Sequence, residues 1–221
     1  MKFLAINGSP RKKHNTAQLL EAALAGAASK GAQTELVHLY DLNFKGCVSC
    51  FACKLKDCQR PGICLRQDGL TPILEQAMAA DALLLGSPIY FESVTGEMRS
   101  LLERLLFPVL TYTEGYKSLL ERKIPVGFIY TMNVTTQFME RANYLAALRF
   151  AEMDLERLFG HCEALTANDT TQFDDYSKYL CTVFDPEQKK QARNEQFPED
   201  KENAFALGNR LIELVKQSLP A

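Results

Sequence analysis

The chain alternates short, almost wholly apolar runs with longer stretches whose apolar positions recur at helical spacing. Lys2–Asn7 (KFLAIN) reads as a buried strand. After a polar turn, Asn15 or Thr16 can cap a helix running to about Ser29, with Leu19, Leu20, Ala23, Leu24 and Ala27 on one face. Lys30-Gly31 then supplies a cation and a C-terminal glycine to end it. Thr34–Leu39 is the second strand and Leu70–Ala80 the second helix. Asp81–Gly86, containing Ala82-Leu83-Leu84-Leu85, is too apolar for a surface element and is the third strand. Ser87–Gly96 reads as a loop, and Glu97–Leu106 as an amphipathic helix closed by Pro108. Pro125–Met132 is the fourth strand, Met139–Phe159 one long helix stopped by Gly160, and Glu163–Ala167 the fifth strand. A polar segment, Asn168–Pro198, precedes a closing helix over Glu199–Leu219. This alternation predicts the α/β class: a doubly wound, five-stranded parallel sheet with helices on both faces.

Composition changes this picture little. At 221 residues, 47% hydrophobic and 24% charged, the chain suits one domain over 1–221, with a Cys-rich loop at 46–68 and a long loop at 168–198. A net charge of −2 gives no electrostatic pull towards nucleic acid or an anionic membrane surface. No apolar run approaches the roughly 20 residues of a membrane span, and the chain opens directly on a strand, so a cytoplasmic protein is expected.

The turn after the first strand carries candidate chemistry. Ser9, Arg11, Asn15 and Thr16 place hydroxyls, an amide and a guanidinium beside the positive end of a helix, an arrangement suited to a phosphate. A plain strand–helix turn with capping Asn and Thr is the alternative. The run is neither a Walker loop nor G-x-G-x-x-G.

Gly8-Ser9-Pro10-Arg11, a basic stretch and Asn15-Thr16 together resemble the first turn of the flavodoxin-like NAD(P)H-dependent FMN reductase family. The resemblance, which extends over nearly the whole chain, implies that this turn holds the FMN phosphate. Gly86-Ser87-Pro88-Ile89-Tyr90-Phe91 resembles the family segment that lies against the isoalloxazine ring, which implies ring contacts for Pro88, Ile89, Tyr90 and Phe91. Thr131, Met132 and Asn133, after the fourth strand, occupy the third expected position, with Thr131 and Asn133 as further cofactor contacts. It also implies at least a homodimer, with flavin near the interface.

Five of the seven cysteines fall between Cys47 and Cys64. An odd, clustered set argues against a secreted disulfide framework and for metal binding or redox chemistry. Cys47-x2-Cys50-x2-Cys53-x4-Cys58 resembles the compact motif of the iron–sulfur flavoproteins, a branch of the same family, which implies a 4Fe-4S cluster on these four thiolates. Cys64 competes with Cys58, because Cys64-Leu-Arg-Gln-Asp68 resembles the context of the family's last cysteine. Three readings stay open: a four-iron cluster, free thiols without metal, and structural zinc, the last weakened by the absence of histidine in the loop. Cys162 is read as a small core residue. Lys54, Lys56, Arg60 and Arg66 make the loop basic, which suits an anionic donor such as NADPH or, more simply, keeps the loop solvated.

The late segment from Asp169 to Tyr179 mixes aromatics with acids, and Phe173, Tyr176 or Tyr179 either cover a flavin or pin a surface loop. His14 either adds a donor to the phosphate turn or, more simply, is a solvated loop residue, and no hydrolytic triad is visible. The expected function is an FMN-dependent oxidoreductase passing electrons from NAD(P)H through bound FMN to a small acceptor: a quinone, a nitro compound, flavin or oxygen. With no acid or base to name as catalytic, the flavin carries the redox chemistry. One alternative is an iron–sulfur flavoprotein exchanging electrons with a ferredoxin-like partner, and another a non-catalytic flavodoxin-like binding module.

Overall fold

The computed structural model describes residues 1–218. Strands β1 (Lys2–Asn7), β2 (Gln33–His38), β3 (Ala82–Tyr90), β5 (Val126–Thr131) and β6 (Cys162–Ala167) form a parallel sheet in the order β2-β1-β3-β5-β6. A two-residue strand, β4 (Ser93–Val94), pairs antiparallel with the end of β3. The sheet is thus the expected five-stranded parallel one with a short hairpin appended. Strand order reverses between β1 and β3, so connections leave to opposite sides there and a crevice opens beyond their carboxyl ends.

Side-chain alternation along the strands separates two cores. Phe3, Ala5, Ala82, Leu84 and Ile129 face a layer made by α1 (Asn15–Ser29) and α6 (Pro186–Ser218). Leu4, Ile6, Leu83, Leu85, Val126 and Phe128 face a layer made by α2 (Thr71–Ala79), α3 (Gly96–Val109) and α5 (Tyr144–Phe159). Both faces of β1, β3 and β5 are therefore buried, which is why these strands read as unbroken apolar runs.

Several expected boundaries shift, each for a local reason. Ser87–Tyr90 is strand rather than loop: β3 keeps pairing with β5 through Ser87↔Tyr130 and Pro88↔Thr131. Pro88 is tolerated inside a strand, and the chain turns back at Phe91 and Glu92, both at positive φ (50° and 60°). Helix α3 does not stop before Pro108 but runs to Val109, with Leu105, Pro108 and Val109 buried. The long helix expected over Met139–Phe159 is two helices, α4 (Thr136–Arg141) and α5, broken at Asn143 (φ 57°). Gly160 ends α5 at φ 91°, as its position suggested.

The largest correction lies at the carboxyl end. The segment Asn168–Pro198 is only a loop as far as Asp185, and α6 starts at Pro186 rather than Glu199. Asp185 accepts a hydrogen bond from the Glu187 N–H at 2.8 Å, and Pro186 occupies the first helical position where no N–H is needed. Pro198 sits inside the helix, flanked by buried Phe197 and Asp200. The expected end at Leu219 lies outside the described residues.

Helices α1 and α6 approach backbone to backbone. A Cβ added at Gly26 would lie 2.0 Å from the Phe205 carbonyl oxygen, and one at Gly208 would lie 1.9 Å from that of Ala23. Both obstacles are main chain and cannot rotate away. Gly208→Ala is therefore expected to lower unfolding free energy by about 1–3 kcal/mol or more, whereas Gly62→Ala, in open space, should cost only its positive-φ strain. Urea denaturation of the two variants checks this; equal midpoints would contradict it.

Candidate functional site

At the switch point, β1 ends on buried Asn7, whose Oδ1 accepts the Ser9 N–H at 2.9 Å and whose amide meets the His38 ring at 2.9 Å. Gly8 N–H donates to the Gly86 carbonyl at 2.7 Å, holding the first turn against the end of β3. Thr95, just before α3, donates its hydroxyl to the Gly8 carbonyl (2.7 Å) and its N–H to Ser87 Oγ (3.1 Å). Thr95 is 1% exposed and ties three elements together, yet nothing in its sequence context singles it out.

The resulting cleft is about 540 Å³ and is lined by Ser9, Arg11, Asn15 and Thr16 from the turn, Pro88–Tyr90 from β3, and Thr131–Asn133 after β5. Nine of the ten expected contacts converge here. Phe91 does not: it sits at the hairpin tip with its side chain almost fully in solvent. Also lining the cleft are His14 and, from the late loop, Thr170–Asp174 and Tyr179.

Asn15 and Thr16 do not cap α1. They lie inside its first turn, and His14 is the cap residue, without a side-chain cap bond. Thr16 Oγ1 instead meets Thr131 Oγ1 at 2.7 Å in a buried link from α1 to the end of β5. Asn15 donates to the Thr171 carbonyl (2.8 Å) and accepts from Arg193 Nη1 (3.0 Å), while Arg11 donates to the Gln172 carbonyl (2.6 Å). The turn is thereby joined to the late loop. His14 is not a solvated loop residue. Burial first, and Arg11 second, lower its pKa below the ordinary 6.5, and its Nδ1 is buried without a partner.

The late loop is anchored from α6. Lys189, 3% exposed, pairs with Asp169 and donates to the Asn133 carbonyl (2.5 Å). Phe173 stacks on Tyr179 with centroids 3.9 Å apart and 12° between planes, whereas Tyr176 is buried and its hydroxyl accepts the Gln172 N–H. Phe173 and Tyr179 thus face the cleft and Tyr176 pins the loop.

A phosphate ester with a flat, partly polar ring fits this cleft. The volume lies in the usual range for ligand sites, the amino end of a 15-residue helix opens into it, and His14 Nδ1 and Asn133 Oδ1 are buried polar atoms without partners on its lining.

The cysteine loop packs on α3 beside the cleft-forming elements. Cys47, Cys50, Cys53 and Cys64 line one small apolar hollow with Val48, Phe51 and Phe107. Cys58 does not line it: its N–H closes a turn onto the Leu55 carbonyl, and the chain then reverses through Gly62 (φ 82°) and returns at Cys64. Among the described residues, no three Cys, His, Asp or Glu side chains converge closely enough to hold a single metal ion, and all seven cysteines are free. Burial raises the Cys53 thiol pKa above its ordinary value. The basic loop is solvated at Lys56 and Arg60, both exposed, but most of its cations also have partners. Lys54 donates to the Phe107, Pro108 and Leu110 carbonyls at the end of α3, and Arg60 and Arg66 pair with Glu75 and Asp68.

Beneath the hollow, the Arg104 side chain is fully buried. It donates to Asp68 (2.6 Å) and to the carbonyls of Lys45 and Arg66, leaving Nε–H without a partner. Four thiols, an apolar wall and a buried cation make a donor set that fits an anionic iron–sulfur cluster. Away from this loop, burial raises the Cys162 thiol to about 12, in keeping with a core role.

The fold and cleft define a flavodoxin-like α/β protein with its cleft at the switch point of the sheet. The family model for NADPH-dependent FMN reductase matches residues 1–148, and the chain belongs to that family. The match leaves the last third of the chain outside. Over 104 residues the chain is 40% identical to an iron-sulfur flavoprotein of Archaeoglobus fulgidus, covering 47% of this chain and 48% of that protein. Over 104 residues it is 31% identical to an iron-sulfur flavoprotein of Methanosarcina thermophila, covering 47% and 52%. The aligned region is about half the length of these curated relatives. Among solved structures, an NAD(P)H:quinone oxidoreductase from Methanothermobacter marburgensis superposes with a TM-score of 0.69 at 16% identity, over 96% of this chain and 98% of that one. An azoreductase from Bacillus anthracis gives 0.65 at 14% identity, over 95% and 99%. At these identities the likeness is one of fold.

Asp68 makes the arrangement sensitive to acid. Burial alone would raise its carboxyl, but the Arg104 hydrogen bond, with the Leu70 and Lys45 backbone groups, brings it below the ordinary 3.8. Its contribution is complete above about pH 4 and falls away as pH drops through the lowered value. Asp68→Asn, which leaves a buried guanidinium unpaired, should cost on the order of 3 kcal/mol at pH 7 and flatten the acid limb of stability. Denaturation midpoints from pH 7 to pH 3 test this; an unchanged midpoint at pH 7 would contradict it.

Proposed function

We propose that the protein is an FMN-dependent oxidoreductase that takes electrons from NAD(P)H and delivers them to a small acceptor such as a quinone, a nitro compound, free flavin or oxygen. The observation that carries this reading is the convergence of the first turn, the end of β3 and the end of β5 on one cleft. When bound, FMN supplies acceptance of a hydride and release of electrons singly or in pairs. The chain's own residues bind and orient. The N–H groups at the start of α1, with Ser9, Arg11 and Asn15, hold the phosphate, and Thr16 acts indirectly by fixing α1 to β5. Pro88, Ile89 and Tyr90 bear on the ring, with Thr131 and Asn133 along its polar edge. Phe173 and Tyr179 form the outer wall that limits which acceptors enter. We assign the protein to the cytoplasm, working as a homodimer or higher oligomer. Phe138, Leu145, Phe150 and Met153, all exposed on α4 and α5, support the latter.

A second reading, electron exchange with a ferredoxin-like partner, is favoured by the thiol-lined hollow. In it, Cys47, Cys50, Cys53 and Cys64 hold a 4Fe-4S cluster.

The test begins with the absorption spectrum, iron and acid-labile sulfide of anaerobically purified protein. Flavin bands with about four irons per chain support both readings, and flavin without iron leaves the reductase alone. A colourless protein that ignores added FMN overturns both and supports the binding module. Removing two phosphate-turn contacts in Arg11→Ala/Asn15→Ala should weaken FMN binding by roughly 100-fold, at about 1.4 kcal/mol per contact. Unchanged affinity would mean that the phosphate lies elsewhere. Iron content in Cys58→Ser and Cys64→Ser separates the two candidate fourth ligands.

A further inference from the structure

A second concavity, about 580 Å³, lies between the start of α4, the end of β6 and the first half of α6. None of its lining belongs to the cleft assigned above. Glu195, Glu199 and Asp200 line it, and no lysine or arginine does. Asp169 also reaches it, but its charge is answered by buried Lys189.

Asp200 carries the argument. It is 5% exposed, and its Oδ1 accepts from Gln196 Nε2 at 3.2 Å, while Oδ2 is buried with no hydrogen-bond partner. A buried carboxylate oxygen without a donor is costly in an isolated chain. Burial first, and the neighbouring Glu199, push this carboxyl above its ordinary pKa, so a cation supplied from outside would relieve the site.

The shape of the charge selects the class of cation. Glu195 and Glu199 stand one helical turn apart, roughly 6 Å. The α6 residues on the lining run from Gln188 to Asp200, about 18 Å of helix at 1.5 Å per residue. Among the described residues, no three acidic, His or Cys side chains converge on a single metal position. The Glu195, Glu199 and Asp200 carboxylates lie within about 8 Å of helix, and the amides of Gln188 and Gln191 continue the lining, an elongated set that suits ammonium groups separated by short alkyl spacers better than a compact ion.

We propose that this cleft binds a linear alkyl polyamine, with the Asp200 and Glu199 carboxylates each receiving an ammonium group. The site is independent of the flavin assignment.

Calorimetric titration of the protein as purified with spermidine, in roughly 0.15 M salt to screen surface charge, tests it. Saturable binding near one per chain is expected, weakened at least tenfold by Asp200→Asn and by Glu199→Gln. Glu199 is exposed, so Glu199→Gln keeps the test valid even if Asp200→Asn disturbs the fold. Magnesium at matched charge should not compete. Absence of saturable binding at millimolar spermidine, binding untouched by Glu199→Gln, or full competition by magnesium would each overturn the proposal.

Discussion

Two glycines, Gly26 and Gly208, let α1 and α6 touch through their main chains, and the geometry of the site follows from that contact. Because α6 lies this close to α1, its first half continues past the carboxyl edge of the sheet and reaches the start of α1 below the turn that follows β1. Arg193 then meets both Asn15 and Gln18, and Lys189 reaches Asp169 and the Asn133 carbonyl. A side chain on either glycine would push α6 outward and separate these groups. The late loop, with no regular structure beyond one short turn, is ordered by these polar tethers.

Burial divides the molecule into a dry part and a polar edge. Below, two apolar layers cover the sheet. At the carboxyl ends of β1, β3 and β5 the buried residues become polar: Asn7, Ser9, Thr16, Ser87, Thr95 and Thr131. These groups bond to one another, to main chain or, for the Asn7 amide, to the His38 ring. Such satisfaction lets polar groups sit in the interior without a large desolvation penalty. A ligand then meets a preformed cleft.

The cysteine loop follows the same logic with other materials. It has almost no regular structure, so it takes its shape from α3. Arg104 anchors it from beneath through Asp68 and two carbonyls, and Lys54 closes it over the end of α3. Those anchors decide which thiols share the hollow. Spacing along the chain favoured Cys58 and the Cys64-Leu-Arg-Gln-Asp68 context favoured Cys64, but the turn at Leu55–Cys58 and the reversal at Gly62 separate the two in space.

Sequence by itself determined the sheet, its helical layers and the place of the cleft. Apolar runs such as Leu83–Leu85 must be buried on both faces, and the Gly-Ser-Pro-Arg and Ser-Pro-Ile-Tyr segments fall at strand ends in any parallel α/β arrangement. Only tertiary structure decided that Thr16 serves the β5 contact rather than a cap, that Phe91 leaves the cleft, and that α6 begins at Pro186. In each case local propensity allowed two outcomes, and a distant partner chose between them: Thr131 for Thr16, the β4 hairpin for Phe91, and α1 for the first turns of α6. The Asp185-Pro186-Glu187 start signal was legible, but polar residues around it and Pro198 beyond it masked a helix whose stability comes from packing on α1 and not from its own composition.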